Sequence, residues 1–192
     1  GLAIPLVASI STTKAARNGF LVKRRLALEA ARNVDMVLFD KTGTLTRGEF
    51  GVDTLVMFSG HTEETMLQLA ASVNSHSEHP IAKAVVRAAA ERHITISPVD
   101  DFKRLPGQGA KGMVAGQEIK VGSPSLVDEM KLSVPLEQQP YLQKLSQQGK
   151  TIIYIISQKQ LIGAIALADI IREESKQAVA LLKAMGIKTA MV

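Results

Sequence analysis

The sequence predicts an α/β protein in which a parallel-sheet domain is interrupted by an inserted α+β domain built on an antiparallel sheet. Three observations carry this. The apolar run at residues 34 to 39 ends in Asp40, as a buried parallel strand ends. From Ile94 to Ala168 the pattern is mostly short strands separated by tight turns. After Asp169 an amphipathic helix, residues 172 to 185, stops at Gly186 and leads into a second buried-type strand at residues 187 to 192. A helix and parallel-type strand that resume after such an interval are what an inserted domain leaves behind.

Taken in order, residues 26 to 33 predict a short helix feeding the strand at 34 to 39. Arg47 to Glu49 are expected to turn the chain away, and residues 54 to 58 have strand character. Thr62-Glu63-Glu64-Thr65 opens an amphipathic helix with an N-cap and an acidic first turn. Met66, Leu69, Ala70 and Val73 give it one apolar face. Pro80 begins a second helix over 81 to 92, where its missing N–H is not needed. Strands are expected at 94 to 96, 102 to 105, 111 to 115 and 118 to 121, with a turn at Gly116-Gln117. Short helices follow at 123 to 131 and 137 to 148, the latter closed by Gly149. Residues 151 to 156 and 160 to 168 read as a hairpin. No repeat or low-complexity tract interrupts the pattern.

Composition narrows the function classes. A chain of 192 residues with 46% hydrophobic and 21% charged residues can build real cores and is not a disordered type. With no cysteine there are no disulfides and no thiolate metal sites. Aromatics are 4% with no Trp, which argues against a base-stacking surface, so no nucleic-acid partner is expected. The net charge of +5 is concentrated early, at Lys14, Arg17, Lys23, Arg24, Arg25 and Arg32. That bias suits a segment leaving a membrane on its cytoplasmic side. Residues 1 to 10 are uncharged and mostly apolar, too short for the roughly 20 residues a spanning helix takes, and the charges follow them, unlike in a signal peptide. They are read as the cytoplasmic end of a membrane helix, and the chain as a fragment at both ends.

The chemistry centres on Asp40-Lys41-Thr42-Gly43-Thr44-Leu45-Thr46. A carboxylate at the carboxyl end of a parallel strand lies where open α/β sheets place ligands, and it can attack phosphorus to give an aspartyl phosphate. Lys41 can neutralise charge on a transferring phosphoryl group. Gly43 admits close backbone approach, and the hydroxyls of Thr42 and Thr44 can donate to its oxygens. A strand that merely ends in Asp before a Thr-rich turn is the bland alternative. An aspartate-based phosphatase is the nearer one, but such enzymes usually carry a second Asp two residues on, where Thr42 stands. A threonine cannot exchange protons near neutral pH as a carboxyl group does.

Residues 40 to 46 resemble the phosphorylation motif of the P-type ATPases, membrane pumps that pass through an aspartyl-phosphate enzyme. The resemblance implies a truncated haloacid-dehalogenase-like phosphorylation domain carrying an inserted nucleotide-binding domain. It implies ATP as substrate, Asp40, Lys41 and Thr42 as catalytic residues, and magnesium held by Asp40 and the backbone carbonyl of Thr42. The implied domains are a membrane-helix end at 1–13, phosphorylation-domain parts at 14–47 and 166–192, and a nucleotide-binding domain at 48–165.

Ser77-Glu78-His79-Pro80 stands at a loop-to-helix junction, where free N–H groups favour anions. Glu78 can accept from an exocyclic amine, and His79 can stack on or hydrogen-bond to a purine. His76, Glu78 and His79 could instead look like metal ligands, but they make no closed site. The tetrapeptide resembles the nucleotide-domain signature of the heavy-metal subgroup of P-type ATPases, in which the matching Glu and His orient ATP. Residues 107 to 112 satisfy the dinucleotide spacing G-x-G-x-x-G in the wrong context, since Pro106 precedes and a strand-turn-strand pattern follows. The same subgroup has a matching Gly-x-Gly beside its adenine pocket, which carries over Gly107 and Gly109. Gly122 resembles the glycine of that subgroup's Gly-Asn pair, with Ser123 in place of Asn. Asp169-Ile170-Ile171-Arg172 reads locally as a helix start with Asp169 as N-cap, and resembles the subgroup's hinge, where the Asp holds the junction and the base, Arg172, reaches nucleotide.

Residues 1 to 29 resemble the end of the subgroup's ion-pathway helix, and Gly1 to Val7 its copper-exporting branch. The implied partners of the intact protein are ATP, a transported metal ion bound by membrane segments absent here, and the membrane, at whose cytoplasmic face this portion would lie. Two other readings remain: a soluble aspartate-nucleophile phosphatase with a cap domain, and a nucleotide-binding module without catalysis.

Overall fold

The computed structural model of the chain describes residues 3–58 and 60–192, and within them every side chain except those of residues 3–9, 25, 28, 29 and 32. Gly1 and Leu2 of the expected membrane-helix end lie outside the described residues. In chain order the elements are α1 (Ala3–Arg17), α2 (Arg25–Ala30), β1 (Met36–Phe39), β2 (Thr46–Met57), α3 (Glu63–Asn74) and α4 (Pro80–Glu91), then β3 (Val99–Leu105), β4 (Gly109–Val114) and β5 (Gln117–Gly122). They continue with α5 (Pro124–Glu129), α6 (Gln139–Gln147), β6 (Thr151–Ser157), β7 (Gln160–Ile171), α7 (Glu173–Ala184) and β8 (Lys188–Met191). The chain divides into two compact units, one of Gly1–Leu45 with Glu173–Val192 and the other of Thr46–Arg172.

In the first unit β1 and β8 pair in parallel, from Met36↔Lys188 to Phe39↔Met191. Two parallel strands need a crossover, and here the whole second unit and α7 lie between them in sequence. The sequence predicts a buried strand at 34 to 39, yet Met36 is 47% and Leu38 61% exposed. A parallel pair is buried only when other elements cover both faces, and no residue of α7 is buried. Helix α1 ends in a Schellman motif, with Phe20 N–H donating to Ala15 O at 2.9 Å and Gly19 N–H to Ala16 O at 3.1 Å. No helix among the described residues is long and apolar enough to cross a membrane.

In the second unit the strands form one sheet in the order β2-β7-β6-β5-β4-β3, antiparallel throughout. Helices α3 and α4 bury one face of it, and α5 and α6 the other. Alternation along β6 sends Ile153 and Ile155 to the α3/α4 side, and Ile152, Tyr154 and Ile156 to the α5/α6 side. This explains why the strand reads as a continuous apolar run: it is buried on both faces. Small residues let α3 and α4 pack closely, with Ala70, Ala71, Ala84, Ala88 and Ala89 all in the core. Thr62 caps α3 as expected, its Oγ1 accepting from Thr65 N–H at 3.1 Å.

Four local expectations are corrected. Residues 94 to 96 form no strand, because α3 satisfies this segment: Gln68 Nε2 donates to Thr95 O at 2.7 Å, and Ser97 N–H to Ser72 Oγ at 2.9 Å. Arg47 to Glu49 do not turn the chain away but form an irregularity inside β2, between the pairs Thr46↔Ile171 and Phe50↔Asp169. The β4–β5 turn is Ala115-Gly116, both at positive φ, so Gln117 already pairs with Val114. Finally, β7 runs to Ile171, so Asp169 lies in a strand and caps no helix.

Candidate functional site

Strand β5 pairs with β6 only from Ile119↔Ser157 to Gly122↔Tyr154, after which the chain turns through Ser123 into α5. Beyond that point the start of β6 has no β5 partner, and a cavity of about 990 Å³ opens there. Its walls are the α3–α4 loop, the β3–β4 turn, the end of β5, the start of β6 and one side of α6. Glu78, His79, Gly107, Gly109 and Gly122 all line it, although the sequence offers them as separate motifs.

Each wall has a local cause. The β3–β4 connection is a type II turn: Gln108 N–H donates to Leu105 O at 3.0 Å, Pro106 takes the first central position and Gly107, at φ +71°, the second. Gly109 and Gly122 face each other as cross-strand partners. A Cβ on Gly109 would meet the backbone of Val121 and Gly122, and one on Gly122 the carbonyl of Gln108. Ser123 N–H donates to Gln108 O at 2.7 Å, tying the end of β5 to the turn.

His79 is the N-cap of α4, with Nδ1 accepting from Ile81 N–H at 3.2 Å and Pro80 occupying the first turn. An accepting Nδ1 requires the neutral ring to carry its proton on Nε2, which leaves that N–H as the ring's donor. Glu78 pairs with Lys83 at 2.6 Å. The Lys83 ammonium, hydrogen-bonded to it, holds the Glu78 carboxyl below its ordinary value, with Arg104 adding a smaller pull in the same direction. His76 points elsewhere: it stacks on Phe102, ring centroids 5.5 Å apart. No group of three or more His, Cys, Asp or Glu gathers as a metal site among the described residues.

The remaining predicted residues are not among those that line this cavity. Arg172 Nε donates to Thr46 O at 2.9 Å, and Asp169 Oδ2 accepts from Thr46 Oγ1 at 2.8 Å, so both serve the end of the β2–β7 ladder. Asp40, Lys41 and Thr42 belong to the other unit. There Asp40 is exposed just past the carboxyl end of β1, and the chain turns through Lys41–Leu45 with Gly43 at φ +79°. Ser175 Oγ, in the first turn of α7, donates to Thr44 O at 3.4 Å. Among the cavity residues that escaped the sequence reading are Asn74 and Arg104. The available signal for Arg104 was its place two residues before the Pro106-Gly107 turn, where strand alternation sets it opposite Leu105.

Residues 34–192 match the family model for haloacid dehalogenase-like hydrolases. The chain belongs to that family. For a haloacid dehalogenase-like hydrolase, the parallel β1–β8 pair interrupted by an antiparallel unit is the architecture expected from the sequence. The copper-exporting P-type ATPase B of Archaeoglobus fulgidus is 45% identical over 192 residues, covering 100% of this chain and 27% of that protein. A crystal structure of a zinc-transporting PIB-type ATPase superposes with a TM-score of 0.85 at 30% identity, over 97% of this chain and 30% of that one. The catalytic domain of the CPx-ATPase CopB-B, studied for conformational changes upon nucleotide binding, gives a TM-score of 0.60 at 27% identity, over 94% of this chain and 60% of that one. The resemblance read from residues 40 to 46 thus extends over the whole hydrolase chain, which spans about a quarter of the length of the curated relatives it matches.

Proposed function

We propose that this chain is the ATP-binding and aspartyl-phosphorylation portion of an ATP-driven heavy-metal cation exporter, lying at the cytoplasmic face of a membrane in the intact protein. The observation that carries the reading is the convergence of Glu78, His79, Gly107, Gly109 and Gly122 on one cavity, in a chain that also holds the Asp40 to Thr46 motif at the end of a parallel strand. In this reading residues 48–165 are the nucleotide-binding domain, and 14–47 with 166–192 belong to the phosphorylation domain.

Glu78 accepts from the exocyclic amine of adenine and His79 donates from Nε2, while Gly107 and Gly109 leave room for the ring. Asp40 attacks the γ-phosphorus in line, a new P–O bond forms to its carboxylate, the bond to the bridging oxygen breaks, and ADP leaves. Lys41 neutralises charge on the transferring group. The exposed carboxylate of Asp40 and the carbonyl of Thr42 are oxygen donors of the kind magnesium takes when it keeps waters and substrate phosphates as its other ligands. Magnesium held there would add charge neutralisation at the phosphates. With Thr42 where a phosphatase usually has its second Asp, the chain lacks that proton-transfer group and the aspartyl phosphate is long-lived.

Copper is the proposed cargo. The fold is shared with a zinc-transporting relative at 30% identity, whereas the copper-exporting relative reaches 45%. The reading is tested by titrating the chain with ATP while following amide shifts, for the wild type and His79→Ala. Saturable shifts around residues 78, 79 and 107 to 109 that weaken in the variant are expected. Binding indifferent to His79 would remove the nucleotide site from this cavity. In the full-length protein Asp40→Asn should abolish acid-stable labelling from ATP and leave nucleotide binding intact.

A further inference from the structure

The cavity has one feature that none of the sequence motifs supplies. Among the described residues lining it, Arg104 is the single lysine or arginine. Strand alternation explains its position. Leu105 packs into the core on the α5/α6 side of the sheet, so its neighbour Arg104 stands on the α3/α4 side. The α3–α4 loop lies on that side, with His76 stacked on Phe102 of the same strand and Glu78 and His79 at the cavity wall.

Arg104 has no carboxylate within ion-pairing distance among the described residues, in contrast to Lys83, Lys111, Lys120 and Lys150. It is exposed at the rim, while the interior lining is apolar, with Ile81, Leu105, Val121 and Leu142. A nucleotide entering such a cavity buries its ring among the apolar side chains and leaves its phosphates at the wetter rim. The other charged side chain in the lining, Glu78, is an anion already engaged by Lys83 outside the lining, so polyphosphate needs a further charge-assisted donor there. An unpaired guanidinium supplies a planar fork matched to phosphate oxygens.

We infer that Arg104 binds the phosphate chain of the nucleotide, and so selects phosphorylated adenosine over adenosine itself. This assignment rests on the nucleotide-site reading above. It makes Arg104 a binding residue for the substrate's charge, separate from Glu78 and His79, which address the base.

The test compares ATP and adenosine binding to the whole chain, by calorimetry or amide shifts, for the wild type and Arg104→Ala. Because Arg104 is exposed and unpaired, the variant is expected to keep the wild-type amide spectrum. The substitution should weaken ATP about 5- to 10-fold and leave adenosine within about twofold, with the ATP difference shrinking as salt is raised. Equal weakening of both ligands would place Arg104 on the base and overturn the assignment, as would an unchanged ATP affinity. If the wild type binds both ligands and Arg104→Ala changes neither affinity, this inference alone falls. If the wild type binds neither, the nucleotide-site reading has failed and takes this inference with it.

Discussion

The Thr46 hydroxyl donates to Asp169 Oδ2 at 2.8 Å, joining two residues 123 positions apart at the end of the β2–β7 ladder. Thr46 is 3% exposed, and Asp169 Oδ1 is buried with no hydrogen-bond partner among the described residues. The carboxylate therefore depends on few donors. Replacing Thr46 by Val removes one from a part-buried carboxylate, at a cost of about 1–2 kcal/mol. Thr46→Ser, which keeps the hydroxyl, should cost less. Urea denaturation of the two variants checks this, and equal losses would show that the methyl group matters and the hydrogen bond does not.

The β6–β7 turn places Gln158 at φ +49° and Lys159 at φ +65°, both left-handed without a glycine. Such a two-residue hairpin turn favours Asn-Gly. The double change Gln158→Asn, Lys159→Gly is expected to stabilise the chain by about 1 kcal/mol. A lower melting temperature would contradict it.

Gly109 and Gly122 should be far less replaceable than Gly107. A side chain at either of the first two meets backbone of the facing segment, whereas Gly107 has open space and needs only its positive φ. Alanine at 109 or 122 is expected to cost about 2–3 kcal/mol and to disturb the cavity, and alanine at 107 about 1 kcal/mol. Thermal unfolding of the three variants orders them.

His79 has two separable duties. Asn is a good N-cap, so His79→Asn should preserve α4 while losing the ring contact, whereas His79→Ala loses both and about 1 kcal/mol of stability. Comparable ATP affinity in the two variants, with only the Ala variant destabilised, is the expected signature. Full ATP affinity in the Asn variant would confine His79 to capping.

Acid should destabilise the second unit through two ion-paired carboxylates. The hydrogen bond from Lys150 holds Asp53 below its ordinary 3.8, and that from Lys111, followed by Lys120, holds Glu118 below 4.5. A lowered folded value means that the stability from each pair is fully present above the ordinary value, and is lost as the pH falls through the lowered one. Denaturation midpoints should therefore hold down to about pH 5 and decline below it. Glu118→Gln should flatten part of that decline.

Local features were legible in the sequence because they depend on residues close in the chain. Thr62 caps α3, Pro80 opens α4 and Pro106-Gly107 turns β3 into β4, each through dihedral preferences and short-range hydrogen bonds that the residue types impose. The continuous apolar run of β6 was legible for the same reason. Residues 94 to 96 were misread because β-branched residues suit a strand, yet side chains of α3 claim their backbone groups. Asp169 was misread because a helix start and a strand end next to a helix look alike until the partner strand is known.

By itself, then, the sequence determined the position of the Asp40 to Thr46 motif at a strand end, the starts of α3 and α4 and the apolar run of β6, along with the order in which an antiparallel unit interrupts a parallel one. Only the tertiary structure decided that Glu78, His79, Arg104, Gly109 and Gly122 share one cavity and that Thr46 reaches Asp169. Those outcomes follow from the sheet order β2-β7-β6-β5-β4-β3 and its registers. They are set by pairing between distant segments, which no local preference specifies.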